Sequence, residues 1–263
     1  MTGSLGGSIT IAGKTVSRLG FGTMRLTGPG TWGHPADVSA AIGLLRAAVG
    51  EHGITHIDTA DAYGPHTVED LIRQALHPYP EEVLIATKVG MVRPAPNVWK
   101  PLGRPEFLRA TVEQCLRRLG VERLDLCYLH RNDPTVPFLD QIGALAGLQT
   151  EGKVAHIGLS KVTPEEIDTA STFIRVAAVQ NKLNLAQPDD MPTVEHCRAL
   201  GIPYVPYAPL GVGALARQGG AVKALQWLLD LGEHVAPIPG TSSSRHLAEV
   251  VEGVRVDNAG SDR

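Results

Sequence analysis

Residues 124–159 read LDLCYLHRNDPTVPFLDQIGALAGLQTEGKVAHIGL and contain one complete strand–helix–strand repeat. The apolar runs 124–129 and 154–159 flank a segment at 138–150 whose apolar residues recur at helical spacing. Runs that are apolar at almost every position are typical of a sheet buried on both faces, which is a parallel sheet. Since parallel neighbours need a long crossover connection, the repeat predicts the α/β class.

The same rhythm extends over the rest of the chain. The apolar runs expected to be strands are Leu19–Gly22, Ile54–Asp58, Val83–Thr87, Leu124–Leu129, Val154–Leu159, Val176–Gln180, Ile202–Pro206 and Val235–Ile238. Helical patterns stand at about 36–52, 67–76, 105–119, 138–150, 164–172, 192–200, 221–231 and 242–252. Eight uniform units without a break in composition favour a (β/α)8 TIM barrel over a doubly wound open sheet. A β-hairpin is expected before the barrel, over Ser8–Val16.

Helix boundaries carry their own signals. The residues expected as N-caps or first-turn residues are Asp37, Thr67, Thr163-Pro164 and Ser242. The glycines expected to stop helices, in the left-handed conformation that often ends one, are Gly53, Gly120, Gly152, Gly201 and Gly232.

Composition excludes several classes of function. The chain has 263 residues, 43% of them hydrophobic, and a net charge of -3, so neither nucleic acid nor an anionic membrane is an expected partner. The polar start lacks the core of a signal peptide, and no apolar run is long enough to span a bilayer. The three cysteines are far apart in apolar runs and are interpreted as reduced thiols, with no metal site. We expect one cytoplasmic domain over 1–263, with a frayed tail at 257–263 and no obligatory protein partner.

Ionisable residues stand at the ends of three successive strand runs. These residues are Asp58, Lys88 and His130, and Tyr63 lies five positions beyond Asp58. Barrel closure brings such positions to one rim. Lys88, fixed by Asp58, is expected to lower the pKa of Tyr63, because an ammonium favours the phenolate. His130 can orient a carbonyl while Tyr63 donates a proton, so four residues that would each be interpreted as structural alone together indicate an active site.

The sequence resembles the aldo-keto reductase family, and its short bacterial members most closely, over nearly its whole length. The segments that carry the resemblance are LGFGTM (19–24), HIDTADAYG (56–64), ATK (86–88), LRRLG (116–120), DLCYLH (125–130), GKVAHIGLS (152–160), VQN (179–181), YAPLG (207–211) and IPGTSS (238–243). The resemblance implies reduction of a carbonyl with NADP(H). It also implies a catalytic tetrad of Asp58, Tyr63, Lys88 and His130, with Tyr63 as the general acid.

The resemblance implies a cofactor site on the same rim. Ser160 and Gln180 should hold the nicotinamide carboxamide, Tyr207 should stack on its ring, and the start of the last helix should surround the adenosine 2′-phosphate. The full set of expected cofactor residues is Thr23, Met24, Ser160, Lys161, Gln180, Tyr207, Leu210, Gly211, Gly240, Thr241, Ser242, Ser243, His246 and Glu249. Free N–H groups at the start of a helix favour an anion, which agrees with this placement.

Loop residues on the catalytic rim are candidate walls of a substrate pocket. Trp32 and Trp99 lie in polar loops rich in Pro and Gly, where ligand contact explains a tryptophan better than core packing does. Arg131 follows His130, and Met24 lies on the same rim. The expected substrate is a small or aromatic aldehyde or ketone.

Several positions near the cofactor site depart from the family pattern. Lys161 and Val250 stand where Asn is common, Leu183 where Tyr is common and His246 where Arg is common, and the stretch 211–224 is short. Because these changes spare the tetrad, a second hypothesis is a lyase, cyclase or isomerase that uses the tetrad for proton transfer without net redox. A third is a ligand-sensing protein without catalysis, which the intact tetrad argues against. The sequence favours the reductase.

Overall fold

The computed structural model describes residues 4–216 and 220–256. Its strands are β1 (Ser4–Leu5), β2 (Ser8–Ile11), β3 (Lys14–Ser17), β4 (Phe21–Gly22), β5 (His56–Asp58), β6 (Leu84–Val89), β7 (Met91–Val92), β8 (Lys100–Pro101), β9 (Leu124–Leu129), β10 (Val154–Ser160), β11 (Val176–Gln180) and β12 (Arg255–Val256). Its α-helices are α1 (Val38–Gly50), α2 (Thr67–Leu76), α3 (Pro105–Leu119), α4 (Phe138–Thr150), α5 (Pro164–Ser171), α6 (Met191–Leu200), α7 (Gly220–Asp230) and α8 (Ser244–Val254). Short 3-10 turns occupy Thr23–Arg25 and Gly211–Gly213.

Six strands form one parallel sheet in the order β4-β5-β6-β9-β10-β11. The register pairs Asp58 with Ala86 and Lys88 with Tyr128, so Lys88 lies two residues beyond the level of Asp58, toward the carboxyl end of the sheet. Helices α1 to α5 connect successive strands of this sheet. Because all six strands run in the same direction, their carboxyl ends lie at a common edge.

Two extended segments, 203–207 and 234–239, close this sheet into a ring. Segment 203–207 is hydrogen-bonded to β11, and segment 234–239 is hydrogen-bonded to segment 203–207. The β4 region is in turn hydrogen-bonded to segment 234–239. The bonds are Val205 N to Val179 O at 2.7 Å, Ala236 N to Tyr204 O at 2.9 Å, Gly20 N to Pro237 O at 3.0 Å and Gly22 N to Pro239 O at 2.9 Å. The fold is therefore a closed α/β barrel.

The two closing segments are less regular than the sequence predicted. Regular strands were expected over Ile202–Pro206 and Val235–Ile238, but these segments pair only at isolated positions. Pro203, Pro206 and Pro237 have no N–H to donate, so the ladder of hydrogen bonds is interrupted at each of them. Their carbonyls still accept hydrogen bonds, and the ring closes through those contacts.

The core has an outer layer between strands and helices and an inner layer that fills the barrel. The predicted hairpin is present as β2 and β3, and its Ile11 and Val16 belong to the inner layer. Lys14 in the same hairpin donates to the carbonyl of Val83, just before β6, at 2.8 Å. The hairpin thus plugs the amino end of the barrel, and the carboxyl end is left for a site.

Helix ends follow the predicted signals with one correction. Asp37 caps α1, Thr163 caps α5, and Thr67 is the first residue of α2. Ser242 was expected to open the last helix, but Ser243 is its N-cap, because the chain turns into the helix one residue later. The glycines expected to stop helices all have positive φ.

Three further expectations concern the surroundings of the barrel. No helix within 4–216 and 220–256 is long and apolar enough to cross a membrane. The cysteines, Cys115, Cys127 and Cys197, are buried and unpaired. The tail that was expected to fray, 257–263, lies outside the described residues.

Candidate active site

The four residues of the expected tetrad meet at the carboxyl end of the barrel. Asp58 ends β5, Lys88 lies near the end of β6, and His130 directly follows β9. Tyr63 lies in the loop between β5 and α2. All four side chains are buried, so their charges act on one another with little screening by water.

Lys88 is the centre of this group. Its Nζ donates to Asp58 Oδ1 at 2.6 Å, to the carbonyl of Thr59 at 2.7 Å and to Tyr63 Oη at 3.3 Å. A lysine ammonium has three N–H donors, so all of them are used and the side chain is fixed. The geometry joins the phenol of Tyr63 to a lysine–aspartate ion pair.

The directions in which the pKa values of Lys88 and Tyr63 are shifted indicate that both groups carry their protons at neutral pH. Burial alone would lower the pKa of Lys88, but Asp58 and Tyr63 outweigh it and raise that pKa, so the ammonium persists. Burial also raises the pKa of Tyr63, and Lys88 only partly opposes this. The expectation that Lys88 brings the pKa of Tyr63 below its ordinary value is therefore wrong, because the ring lies out of water. The phenol stays protonated at neutral pH.

His130 faces Tyr63 as a neutral imidazole. Burial and the positive charges of Lys88, Lys161 and Arg131 hold the pKa of His130 well below its usual value. The His130 and Tyr63 rings are 6.2 Å apart, centroid to centroid, and nearly perpendicular. The Nδ1 atom of His130 has no hydrogen-bond partner within the described residues. A neutral imidazole has one N–H, which can donate a hydrogen bond to a carbonyl oxygen while the ring stays uncharged.

A buried ionic network supports the loop that carries Tyr63. In that loop, Asp61 Oδ1 accepts hydrogen bonds from Arg118 and from Nδ1 of His66. Glu69, in α2, accepts from Nε of the same Arg118 at 2.7 Å. This network could not be predicted from the sequence, because the partners come from α2, α3 and a loop and follow no common spacing.

Gln180 and Thr23, two of the expected cofactor residues, form hydrogen bonds with Asp58 of the tetrad. Ser160 and Gln180 are partners in register at the ends of β10 and β11. The Nε2 of Gln180 donates to Asp58 Oδ2 at 2.7 Å. Thr23 is buried, and its Oγ1 donates to the carbonyl of Asp58 at 2.8 Å. The hydroxyl of Thr23 is thus used within the fold.

Lys161 projects over the ring of Tyr207. Its Nζ lies 5.6 Å from the centroid of that ring, and its backbone is left-handed, with φ of 57°. Burial lowers the pKa of Lys161 to about 8, and the positive charges of Arg131 and Lys88 add to this. A group that is easily discharged therefore lies against the ring expected to stack on nicotinamide.

The residues expected near the 2′-phosphate gather at the start of α8. Ser243 Oγ accepts from the N–H of His246 at 3.4 Å, and Thr241 Oγ1 accepts from the N–H of Ser243 at 3.0 Å. Ser242 and His246 are exposed. Glu249 is paired with Arg245 at 3.5 Å on the solvent side of the helix. The helix start thus presents hydroxyls and an imidazole together.

Arg25 lies between the loop of Gly240 and the turn that follows Leu210. A Cβ added to Gly240 would lie 3.7 Å from Arg25 Cγ, and one added to Gly213 would lie 3.5 Å from its guanidinium. The added Cβ on Gly240 would also lie 2.5 Å from the carbonyl of Gly22, so only glycine fits at this seam of the barrel. Arg25 could not be predicted as a site residue from the sequence, since a basic residue after a strand carries no distinctive signal.

The tryptophans predicted as pocket walls are half-buried and lie beside the tetrad. The Trp99 ring is 6.3 Å from that of Tyr63 and 6.2 Å from that of His130. Trp32 pairs its backbone with Gly64, next to Tyr63. Arg131 and Met24 are exposed on the rim. The three aromatic rings of residues 63, 99 and 130 form a triangle at the mouth of the site.

The fold and this rim define an α/β-barrel protein with an acid–base cluster at the carboxyl ends of its strands. Residues 18–221 match the model of the aldo/keto reductase family. The chain belongs to this family of oxidoreductases, as the resemblance of its sequence segments predicted.

Relatives and solved structures agree with this membership. The chain is 42% identical to an uncharacterised oxidoreductase of Schizosaccharomyces pombe, over 96% of this chain and 86% of that protein. It is 39% identical to pyridoxine 4-dehydrogenase of Escherichia coli, over 92% of this chain and 91% of that protein. The glycerol dehydrogenase of Gluconobacter oxydans superposes with a TM-score of 0.84 at 25% identity, covering 94% and 90% of the two chains. An aldo-keto reductase from Klebsiella pneumoniae in complex with NADPH has a TM-score of 0.76 at 22% identity, covering 98% and 92%.

Proposed function

We propose that the protein reduces an aldehyde or a ketone to the alcohol, with NADPH as hydride donor and Tyr63 as general acid. The observation that supports this most is the buried Lys88 Nζ, which donates both to Asp58 at 2.6 Å and to Tyr63 at 3.3 Å. Such an arrangement gives a phenol that keeps its proton until negative charge develops on a neighbouring oxygen.

Each member of the tetrad has a role in this proposal. Tyr63 transfers its proton to the carbonyl oxygen, and the phenolate that remains is stabilised by the Lys88 ammonium. Asp58 keeps Lys88 charged. His130, as a neutral imidazole, donates its N–H to the same carbonyl oxygen and orients the substrate. When bound, NADPH supplies the hydride that reduces the carbonyl carbon.

The rim residues fit a nicotinamide dinucleotide phosphate. The start of α8 offers the hydroxyl of Ser243 and the imidazole of His246 at the positive end of the helix dipole, which is a set of groups suited to a phosphate. Ser160 and Gln180 offer a hydroxyl and an amide to a carboxamide. Arg25, between two glycine-bearing loops, is suited to a diphosphate. The NADPH complex of the Klebsiella relative supports the same choice of cofactor.

We infer further that residues 1–263 act as one (β/α)8 domain. Its partner is a small-molecule carbonyl compound, its compartment is the cytoplasm, and it needs no other protein for activity. The names of two relatives, an oxidoreductase and pyridoxine 4-dehydrogenase, support redox chemistry over the proton-transfer alternative. Pyridoxal is for this reason the first substrate to test.

The experiment is a titration with NADPH followed by a carbonyl panel. We expect a saturable change in NADPH fluorescence, and oxidation of NADPH when pyridoxal or another panel aldehyde is added. Proof of function also requires recovery of the alcohol. Failure to bind NADPH, together with conversion of a substrate in its absence, would establish the lyase or isomerase alternative.

A further inference from the structure

Arg93 connects three loops on the catalytic rim through backbone carbonyls. It is 7% exposed, and its guanidinium reaches the loop after β4, the loop after β5 and its own loop after β7. The bonds are Nε to Val98 O at 3.0 Å, Nη1 to Thr31 O at 3.0 Å, Nη1 to Ala62 O at 3.1 Å and Nη2 to Gly30 O at 2.8 Å. Ala62 immediately precedes Tyr63, so one of these bonds holds the loop that carries the proposed acid.

Arg93 also packs against both rim tryptophans. Its Cζ lies 3.6 Å from the centroid of the Trp99 ring and 5.9 Å from that of Trp32. The Trp99 ring in turn contacts the rings of Tyr63 and His130 at 6.3 Å and 6.2 Å. A guanidinium stacked on an aromatic ring restricts the rotation of that ring. In this protein the restricted ring is that of Trp99, which lies beside Tyr63 and His130.

We propose that Arg93 is the positioning residue of the substrate side of the site. It fixes Trp99 against Tyr63 and His130, so that a planar aromatic carbonyl compound is held with its oxygen at Tyr63. The proposal rests on the proposed reductase function for its kinetic test only. Lysine cannot replace the arginine, because a point charge with three donors cannot reach four carbonyls on three loops and also stack on a ring.

The barrel contains a matched control for this arginine. Arg18 is 8% exposed and also donates to four backbone carbonyls, at the opposite end of the barrel. Its acceptors are Val235 at 3.1 Å, Gly6 at 2.9 Å, Leu229 at 2.7 Å and Gly232 at 2.6 Å. Arg18→Lys therefore removes the same type of bonds without touching the rim.

The kinetic test compares Arg93→Lys with Arg18→Lys on benzaldehyde and cyclohexanecarbaldehyde. We expect Arg93→Lys to raise KM for benzaldehyde at least about tenfold and for the saturated ring far less, with the Kd of NADPH changed by less than about twofold. Arg18→Lys should lower the melting temperature and leave both KM values unchanged. If Arg93→Lys changes only the melting temperature, or raises both KM values equally, the positioning role is wrong.

A second readout needs no turnover and separates this proposal from the proposed function. In a Trp32→Phe/Trp227→Phe background, Trp99 is the remaining tryptophan of the three in the chain. Arg93→Lys should increase quenching of its fluorescence by acrylamide and weaken its near-ultraviolet circular dichroism, and Arg18→Lys should change neither. An unchanged Trp99 signal would overturn the proposal, even in an active enzyme. Should Arg93→Lys fail to fold, Trp99→Leu must reproduce the selective loss of benzaldehyde binding, and equal KM values for that variant and the wild type would overturn it.

Discussion

Gln180 and Asp58, which lie 122 positions apart in the chain, are joined by a buried hydrogen bond of 2.7 Å between Nε2 and Oδ2. The other carboxylate oxygen of Asp58 binds Lys88 at 2.6 Å, so both oxygens are satisfied from opposite sides. The neighbour is a carboxylate, which only accepts, so the Gln180 amide must present its NH2 to Asp58. A contact of Gln180 with nicotinamide therefore uses its oxygen or its second N–H, unless this bond breaks.

Gln180→Leu tests whether the bond stabilises the cluster. The variant leaves a buried carboxylate oxygen without its donor, so we expect the free energy of unfolding in urea to fall by about 1–3 kcal/mol. Gln74→Leu is the matched control, because Gln74 is exposed on α2, and it should change stability by less than about 0.5 kcal/mol. Equal stability of the two variants would mean that Asp58 finds another donor and that Gln180 is free for the cofactor.

Tyr63→Phe tests the proposed acid. The variant removes only the transferable proton, so carbonyl reduction should fall by about 10²–10⁴-fold with little change in the Kd of NADPH. Tyr79→Phe is the control: the Tyr79 hydroxyl donates to the carbonyl of Leu119 at 2.7 Å, away from the rim, and its loss should leave turnover intact. Normal reduction by Tyr63→Phe would require a different proton donor.

The pH dependence of reduction follows from the same residue. Because burial raises the pKa of Tyr63 above its ordinary value near 10, the phenol should stay protonated throughout the neutral and mildly alkaline range. Deprotonation of Tyr63 should therefore not lower kcat/KM at any pH below about 10. We expect this profile in a Lys161→Met/His66→Gln background, which removes two groups near the site whose pKa values are shifted within this range. A fall in rate near neutrality in that background would contradict the predicted state of Tyr63.

The tetrad positions could be predicted because each stands at a place that the sequence marks. Asp58, Lys88 and His130 follow apolar runs, and parallel strands bring such positions together. Arg93 could not be predicted in this way. Its acceptors are backbone carbonyls on three loops, and backbone carbonyls occur at every position of a sequence. The net pKa shift of Tyr63 was also out of reach, because its sign depends on how far burial outweighs Lys88.

The exact boundaries of one strand and one helix could not be predicted from the sequence either. The run Val235–Ile238 is apolar enough for a strand, yet Pro237 removes a donor and shortens the ladder there. Ser242 and Ser243 are both good N-cap residues, and only the backbone decides that Ser243 caps α8. The pattern of apolar residues indicates which helices and strands exist, but the residue at which each helix or strand ends depends on local hydrogen bonds.

His246 provides a test of cofactor choice. We expect a modest preference for NADPH over NADH, since the hydroxyls and the imidazole at the start of α8 can donate hydrogen bonds to the 2′-phosphate. The ratio of the two Kd values reports the effect. His246→Ala should reduce the preference, and His246→Arg should increase it. An unchanged ratio in both variants would exclude His246 from the expected phosphate site.

Lys161 is a departure from the family pattern that lies beside Tyr207, the residue expected to stack on nicotinamide. Burial lowers its pKa from 10.5 to about 8, with Arg131 and Lys88 adding to the shift, so the folded protein disfavours its charge. A lysine with a lowered pKa binds its proton more weakly when folded than when unfolded. Folding stability should therefore rise with pH between about 8 and 10.5, and the contribution should disappear in Lys161→Asn.

The same titration should control the release of oxidised cofactor. Nicotinamide becomes positive on oxidation, so a charged Lys161 should weaken NADP+ more than NADPH, and NADP+ affinity should increase as the pH passes about 8. Lys161→Asn should bind NADP+ more tightly at neutral pH, gain less for NADPH and still turn over. Lys161→Met separates charge from backbone, since asparagine also suits the left-handed φ of 57° and methionine does not. If Lys161→Asn instead abolishes conversion of the native substrate, and that conversion never needed NADP(H), the tetrad serves proton transfer alone and the reductase proposal fails.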